Sequence, residues 1–170
     1  MRLTRLLLLP LLLLLALPVA AKQPKSIYDQ ARHQVLTYSW YTVFDNITLS
    51  VQGHSVYIGG QVTQPYKKAD LGRLMKNIKS VDTVYNSIEV LPLSFFDDRI
   101  RMAVYRAIYR DPYFIQYTNQ PIPSIHIIVK NGNVTLEGVV ATQMDDTKAR
   151  LDADGVESFS VTDHLRIEGR

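Results

Sequence analysis

The residues best suited to contact another molecule are tyrosines and arginines close together in the second half of the chain. Met102, Tyr105 and Tyr109 recur at helical spacing. With the flanking side chains, the candidate lipid-binding set is Arg99, Arg101, Met102, Tyr105, Arg106, Tyr109, Arg110 and Tyr113. Tyrosine rings suit the headgroup depth of a membrane, where guanidinium groups meet phosphates. Two interpretations stay open: the stripe contacts anionic phospholipid, or it packs against a neighbouring module while its arginines are solvated.

A second basic patch lies in the first half of the chain. Its candidate residues are Lys67, Lys68, Arg73, Lys76 and Lys79. Such a run is typical of a solvated helix face. The alternative is an anionic partner, such as lipid headgroups or lipopolysaccharide.

Residues for catalysis or metal binding are sparse. His126 and His164 fall on outward strand positions of one predicted sheet, but two histidines without a placed carboxylate make a poor metal site. The chain has no cysteine and no GxSxG, P-loop or HExxH motif. We therefore expect a protein that is not an enzyme and that uses no metal or cofactor.

The charge balance argues against nucleic acid as a partner. Residues 22–91 carry eight Lys and Arg against five Asp and Glu, and residues 92–170 carry nine against eleven. A nearly neutral chain lacks the extended basic surface that attracts a polyanion such as nucleic acid.

A tandem repeat sets the positions of these residues. The segment 47–62 aligns without a gap on 125–140 at an offset of 78 residues, and 84–90 aligns on 161–167 at an offset of 77. Apolar residues alternate in both copies, and Asn131-Gly132 marks a hairpin turn between two strands. Repeating strand blocks at a near-constant offset indicate two copies of one module.

Each copy predicts the order αββαβ. The fold class is α+β: two tandem modules, each a three-stranded mixed sheet packed on two helices. We expect helices at about 26–39, 65–79, 97–110 and 145–154, with Asp97 as an N-cap and Pro65 in a first helical position. Gly60 and Gly138 fall on the inward strand face, where a side chain would hold a helix off the sheet. Each core is small, so the modules should dock and share apolar surface.

The N-terminus has the order of a secretory signal peptide. Arg2 and Arg5 precede a leucine-rich run from Leu6 to Leu17, and small residues precede a cleavage site after Ala21. That run is about 18 Å long as a helix, against about 30 Å of hydrocarbon, so we expect cleavage and no transmembrane span in the mature chain. We expect residues 1–21 to be the signal peptide, 22–91 module one and 92–170 module two. Without cysteine, a lipid anchor directly after the signal sequence is excluded.

The repeated strands resemble the BON-domain family. The pattern Val-x-[Leu/Ile]-x-Gly-x-Val occurs at 56–62 and 134–140, and Val-x-[Asn/Asp]-x-[Leu/Ile]-x-[Val/Ile] closes each copy. A signal peptide followed by two such modules is similar to osmotically inducible periplasmic proteins. The resemblance implies a non-enzymatic, periplasmic, stress-related protein that contacts anionic phospholipid or envelope proteins. It also implies lipid contact by the first helix of the second module. The alternative is a structural protein–protein interaction module that binds no lipid.

Overall fold

The computed structural model describes residues 25–120 and 122–169. The signal peptide and the cleavage site expected within residues 1–21 lie outside the described residues. Among the helices of the described part, none is both long and apolar enough to cross a membrane.

The first module has the predicted αββαβ order. It consists of α1 (Ile27–Leu36), β1 (Asn46–Gln52), β2 (Ser55–Val62), α2 (Pro65–Lys76), β3 (Thr83–Asn86) and β4 (Glu89–Val90). Strand β1 is antiparallel to β2, while β3 and β4 both run parallel to β2. The single closing strand expected here is interrupted at Ser87, whose backbone N–H and side-chain hydroxyl both donate to the carbonyl of Ile58.

The second module repeats this order with a longer connection after its first helix. It consists of α3 (Phe95–Tyr109), a 3-10 turn (Pro112–Phe114), α4 (Ile115–Thr118), β5 (Ile125–Lys130), β6 (Asn133–Val140), α5 (Gln143–Asp154) and β7 (Ser160–Ile167). The sheet order is β5-β6-β7, antiparallel and then parallel. The predicted α+β class and the two tandem modules are confirmed.

Period-two alternation buries the predicted faces of both sheets. In module one Val56, Ile58 and Val62 are buried, and α1 contributes Ala31 and Val35 to the same core. The corresponding core of module two contains Ile125, Ile127, Val129, Val134, Leu136 and Val140, with Ile100, Val104 and Ile108 of α3. Burial of one sheet face by helices fixes the strand register, because a slip of one residue would expose the whole apolar set.

The N-cap predicted at Asp97 is wrong. The hydroxyl of Ser94 accepts a hydrogen bond from the N–H of Asp97, so α3 begins at Phe95. The buried Asp97 carboxylate accepts the backbone N–H groups of Asn131 and Gly132, at 3.0 and 2.7 Å. It therefore ties the first turn of α3 to the hairpin turn between β5 and β6.

Gly60 and Gly138 are structurally required, but not for the predicted reason. Both have positive φ, at 97° and 124°, which favours glycine. A methyl group at Gly60 would lie 2.0 Å from the carbonyl oxygen of Asn46, and one at Gly138 would lie 1.9 Å from that of Ser124. The close neighbour is therefore the backbone where the adjacent strand starts, and not a helix above the sheet.

The modules share apolar surface, as expected from their size. Residues 37–45, which connect α1 to β1 and which we call the strap, leave module one and contact module two. Val43 of the strap is buried within the core of module two, and Phe44 packs against the same core. Lys130 of module two also pairs with Glu89 of module one, at 2.5 Å.

Candidate functional site

The α3 side of module two exposes large apolar side chains beside two arginines. We call this set the aromatic–arginine surface; it comprises Leu93, Phe95, Phe96, Arg99, Met102, Arg106 and Phe159. Phe95 is 93% exposed and Phe159 is 76% exposed. Phe95, Met102 and Arg106 border one shallow depression with Arg99, which also borders a second depression with Phe96. The exposed groups therefore follow α3 from Phe95, its first residue, to Arg106 in its last turn, and Phe159 joins them through Phe96.

Local contacts hold the aromatic rings in place. The rings of Phe96 and Phe159 lie 5.8 Å apart between centroids, and the guanidinium carbon of Arg99 lies 5.6 Å from the Phe96 centroid. The backbone N–H of Phe159 donates to the carbonyl of Gly132, at 2.9 Å. A methyl group at Gly132 would come within 2.7 Å of Phe159 and 3.1 Å of Phe96, so the glycine in the hairpin turn makes room for both rings.

The charge of this surface comes from Arg99 and Arg106. Within residues 25–120 and 122–169, neither guanidinium lies within ion-pair distance of a carboxylate. The neighbouring Asp98 is paired with Arg101, while Glu157 borders the same depression as Arg99. Arginines without protein partners remain available to bind phosphate, for which their planar geometry is well suited.

Two residues of the predicted stripe are buried, which contradicts their place in a surface site. Arg101 is only 5% exposed, and its guanidinium donates to the carbonyl of Val129 at 2.7 Å. Tyr109 donates its hydroxyl to the carbonyl of Ile125 at 2.5 Å, and burial raises the pKa of the Tyr109 phenol. Both side chains fix α3 onto β5 and cannot reach a membrane.

The other predicted residues of the stripe divide between three environments. Arg99, Met102 and Arg106 belong to the aromatic–arginine surface. Tyr105 is half-buried, with its ring centroid 6.0 Å from that of Phe44 in the strap, so it packs between the modules as the alternative interpretation held. Arg110 caps the C-terminal end of α3 one turn after Arg106, and Tyr113 lies in the 3-10 turn that follows.

Tyr113 is engaged in a contact within module two. Its hydroxyl donates to Asp145 at 2.7 Å, and this hydrogen bond raises the pKa of Tyr113. Its ring remains partly exposed, but the hydroxyl serves to hold the segment after α3 against α5.

Four residues of the surface were missed by the sequence interpretation: Leu93, Phe95, Phe96 and Phe159. Phe95 and Phe96 follow the linker directly, and their adjacency was the available signal. The expectation that α3 begins near residue 97 left them outside the helix. Phe159 lies 63 residues after Phe96 in the sequence, directly before β7, and only the fold brings its ring to this surface.

The second basic patch does not form as predicted. Lys67 is buried, and its Nζ lies 2.6 Å from Oδ2 of Asp45, so it is removed from the surface. Arg73 is exposed but pairs with Asp70, whose pKa is lowered by hydrogen bonds from Tyr38 and Arg73. Lys68 is half-buried, and Lys76 and Lys79 are exposed.

The two candidate histidines face different environments. The strand register places Glu137 between His126 and His164, and His164 lies 3.0 Å from Glu137. His126 is buried beside Tyr41 of the strap, with ring centroids 5.4 Å apart. In the described ranges, no group of three or more His, Asp or Glu side chains is arranged to hold a metal ion.

Two solved structures from Chlamydia trachomatis are similar to the chain: CdsD, a structural protein of the type III secretion system, and its C-terminal domain. CdsD is 9% identical to this chain, and the match covers 82% of this chain and 90% of the CdsD chain. The C-terminal domain is 8% identical, and its match covers 86% of this chain and 99% of the domain. Both matches have a TM-score of 0.31. Comparison with curated protein sequences gives no match.

The BON domain model matches residues 37–92 and 96–169. BON-domain proteins are generally non-enzymatic, typically periplasmic, and associated with phospholipids or other envelope components. The first match contains the strands and the second helix of module one, with α1 before it, and the second match spans module two; together they cover most of the chain. The chain therefore belongs to the BON domain family and carries two copies of the domain in tandem.

Proposed function

We propose that this protein is a non-enzymatic, periplasmic envelope protein that binds anionic phospholipid through the aromatic–arginine surface of its second module. The observation that carries the proposal is the exposure of Phe95, Phe96 and Phe159 beside two arginines that have no carboxylate partner among the described residues. Exposure of such an apolar surface to water is unfavourable, so a contact that covers the surface is stabilising.

The arrangement suits the headgroup region of a bilayer. The phenylalanine rings would enter the boundary between headgroups and acyl chains, while Arg99 and Arg106 would meet lipid phosphates. Each basic side chain near an anionic surface contributes about 1 kcal/mol, and this contribution falls as salt screens it. The proposal therefore requires both an apolar and a charge-dependent part of the binding energy.

Export is part of the same proposal. We place the signal peptide at residues 1–21, with cleavage after Ala21, so that the modules act in the periplasm and support the envelope under osmotic or related stress. N-terminal sequencing of the protein recovered from the periplasm tests this step directly: a mature chain that begins at Lys22 supports it, and an uncleaved cytoplasmic chain contradicts it.

Vesicle sedimentation tests the lipid proposal. We expect the protein to pellet with vesicles containing phosphatidylglycerol and much less with phosphatidylcholine vesicles. Arg99→Glu combined with Arg106→Glu should abolish the preference for anionic lipid. Arg32→Glu is the matched control, because it changes an exposed arginine on α1 of module one and should have little effect.

Two outcomes would count against lipid binding at this surface. Equal sedimentation of the double variant and the unaltered protein would show that the arginines take no part. No sedimentation with either type of vesicle would favour the alternative function, a protein–protein interaction module of the periplasm.

A further inference from the structure

Strand β5 is buried in a way that its position in the sheet does not explain. It is the edge strand of module two, yet residues 125–129 are all buried, including those that point to the outer face. His126 and Ile128 occupy that outer face, whereas the equivalent residues of module one, Thr48 and Ser50, are exposed. The outer face and edge of β5 are therefore built to be covered, since an open strand edge otherwise invites pairing with another chain.

The strap supplies much of this cover. The carbonyl of Val43 accepts a hydrogen bond from the N–H of Ile127 on the open edge of β5, at 2.7 Å. The Val43 side chain is 7% exposed and lies in the core of module two, while Tyr41 packs against His126 on the outer face. Val43 and Phe44 form the corner of a hydrogen-bonded turn, in which the N–H of Asp45 donates to the carbonyl of Thr42 at 3.1 Å. A turn that carries one apolar side chain into a pocket therefore covers the edge of β5.

A buried ion pair fixes the shape of the strap. Oδ2 of Asp45 accepts the backbone N–H and the hydroxyl of Thr42, at 2.9 and 2.8 Å, and the Nζ of Lys67 at 2.6 Å. Oδ1 accepts the N–H and hydroxyl of Thr63, at 2.9 and 3.1 Å. These contacts hold both ends of the segment 42–45 on module one and present Val43 to module two.

We propose that the edge of β5 is an acceptor site for a tight turn of the form aromatic-x-Val-aromatic, and that the strap is its intramolecular ligand, held in place by the Asp45–Lys67 pair. Lys67, which the sequence placed in the second basic patch, is thereby a positioning residue for module docking. When the pair is broken the strap leaves β5, and the site accepts the strap of a second copy of this chain.

Amide hydrogen exchange of the full chain tests the intramolecular part. In Lys67→Met, which leaves the Asp45 carboxylate buried without its cation, we expect protection of the Ile127 N–H to fall by about tenfold or more. The Leu49 N–H, at the equivalent position on β1, should change little. Ile88→Val, a core substitution in module one that leaves the Asp45–Lys67 pair intact, serves as the control for general destabilisation.

Two further variants guard against simple unfolding. Asp45→Asn combined with Lys67→Met removes both charges and should fold better than Lys67→Met alone while still releasing Ile127. Val43→Ser keeps the ion pair and should also expose the Ile127 amide. Unchanged Ile127 protection in both folded variants would overturn the proposal.

A synthetic peptide with the sequence of residues 37–46 tests the acceptor site. We expect it to bind the double variant saturably and to restore Ile127 protection, and not to bind the unaltered protein, whose site is filled. The same peptide carrying Val43→Asp should be inactive. Failure of the parent peptide to restore protection would overturn the assignment of an acceptor site, and this result is independent of whether the protein binds lipid.

Discussion

Removal of the exposed phenylalanines should weaken membrane binding without unfolding the protein. Phe95 is 93% exposed, so nearly all of its apolar side chain is available to leave water on insertion. Full burial of a phenylalanine contributes about 2 kcal/mol, which corresponds to about thirtyfold in the partition constant. Phe159 is 76% exposed and already touches Phe96, so its contribution should be smaller, about tenfold.

The assay is sedimentation of Phe95→Ser and Phe159→Ser with phosphatidylglycerol vesicles over a range of lipid concentrations. Urea denaturation of each variant should give a free energy of unfolding within about 0.5 kcal/mol of the unaltered protein, because exposed side chains contribute little to folding. Ile115→Ser, which removes an equally apolar side chain that is 62% exposed on α4, is the matched control and should leave partitioning unchanged. If the Phe95 variant partitions within about twofold of the unaltered protein, the reasoning from exposed area is wrong.

Further predictions concern stability. Gly138→Ala and Gly60→Ala should each lower the free energy of unfolding by more than about 2 kcal/mol in urea denaturation, because positive φ and a neighbouring carbonyl both oppose a methyl group. Gly53→Ala, with positive φ but open space, should cost only about 1 kcal/mol; equal losses at all three would refute the role of close approach. Burial lowers the pKa of His126, so the folded protein favours the neutral ring and should lose stability as pH falls below about 6.5. His126→Gln should remove this part of the pH dependence, whereas the exposed His164→Gln should keep it; an unchanged slope in the first variant would contradict the assignment.

The fold was predictable from the sequence because the repeat supplied the same evidence twice. Strand alternation around Val56 and Val134 gives the buried faces, and the Asn131-Gly132 turn gives the hairpin. These features are local, so a one-dimensional pattern contains them.

The site was less predictable because long-range partners decide which polar side chains are buried. Lys67 is drawn inward by Asp45, which lies 22 residues earlier, and Arg101 by a carbonyl 28 residues later. A helical stripe predicts which face of the helix carries a side chain. It does not predict whether a residue distant in the sequence binds that side chain and buries it. The phenylalanines were missed for a related reason, since the Ser94 cap moved the start of α3 and brought Phe95 to its exposed end.

The most direct test of the proposed membrane contact is NMR of the protein on anionic nanodiscs that carry a spin label at headgroup depth. Resonances of Phe95, Phe96 and Phe159 should broaden most, with Met102 and Arg106 next. Another exposed aromatic pair, Trp40 and Tyr66 on module one, serves as the internal comparison. Broadening centred on Trp40 and Tyr66, or spread evenly over both modules, would contradict lipid contact through the second module.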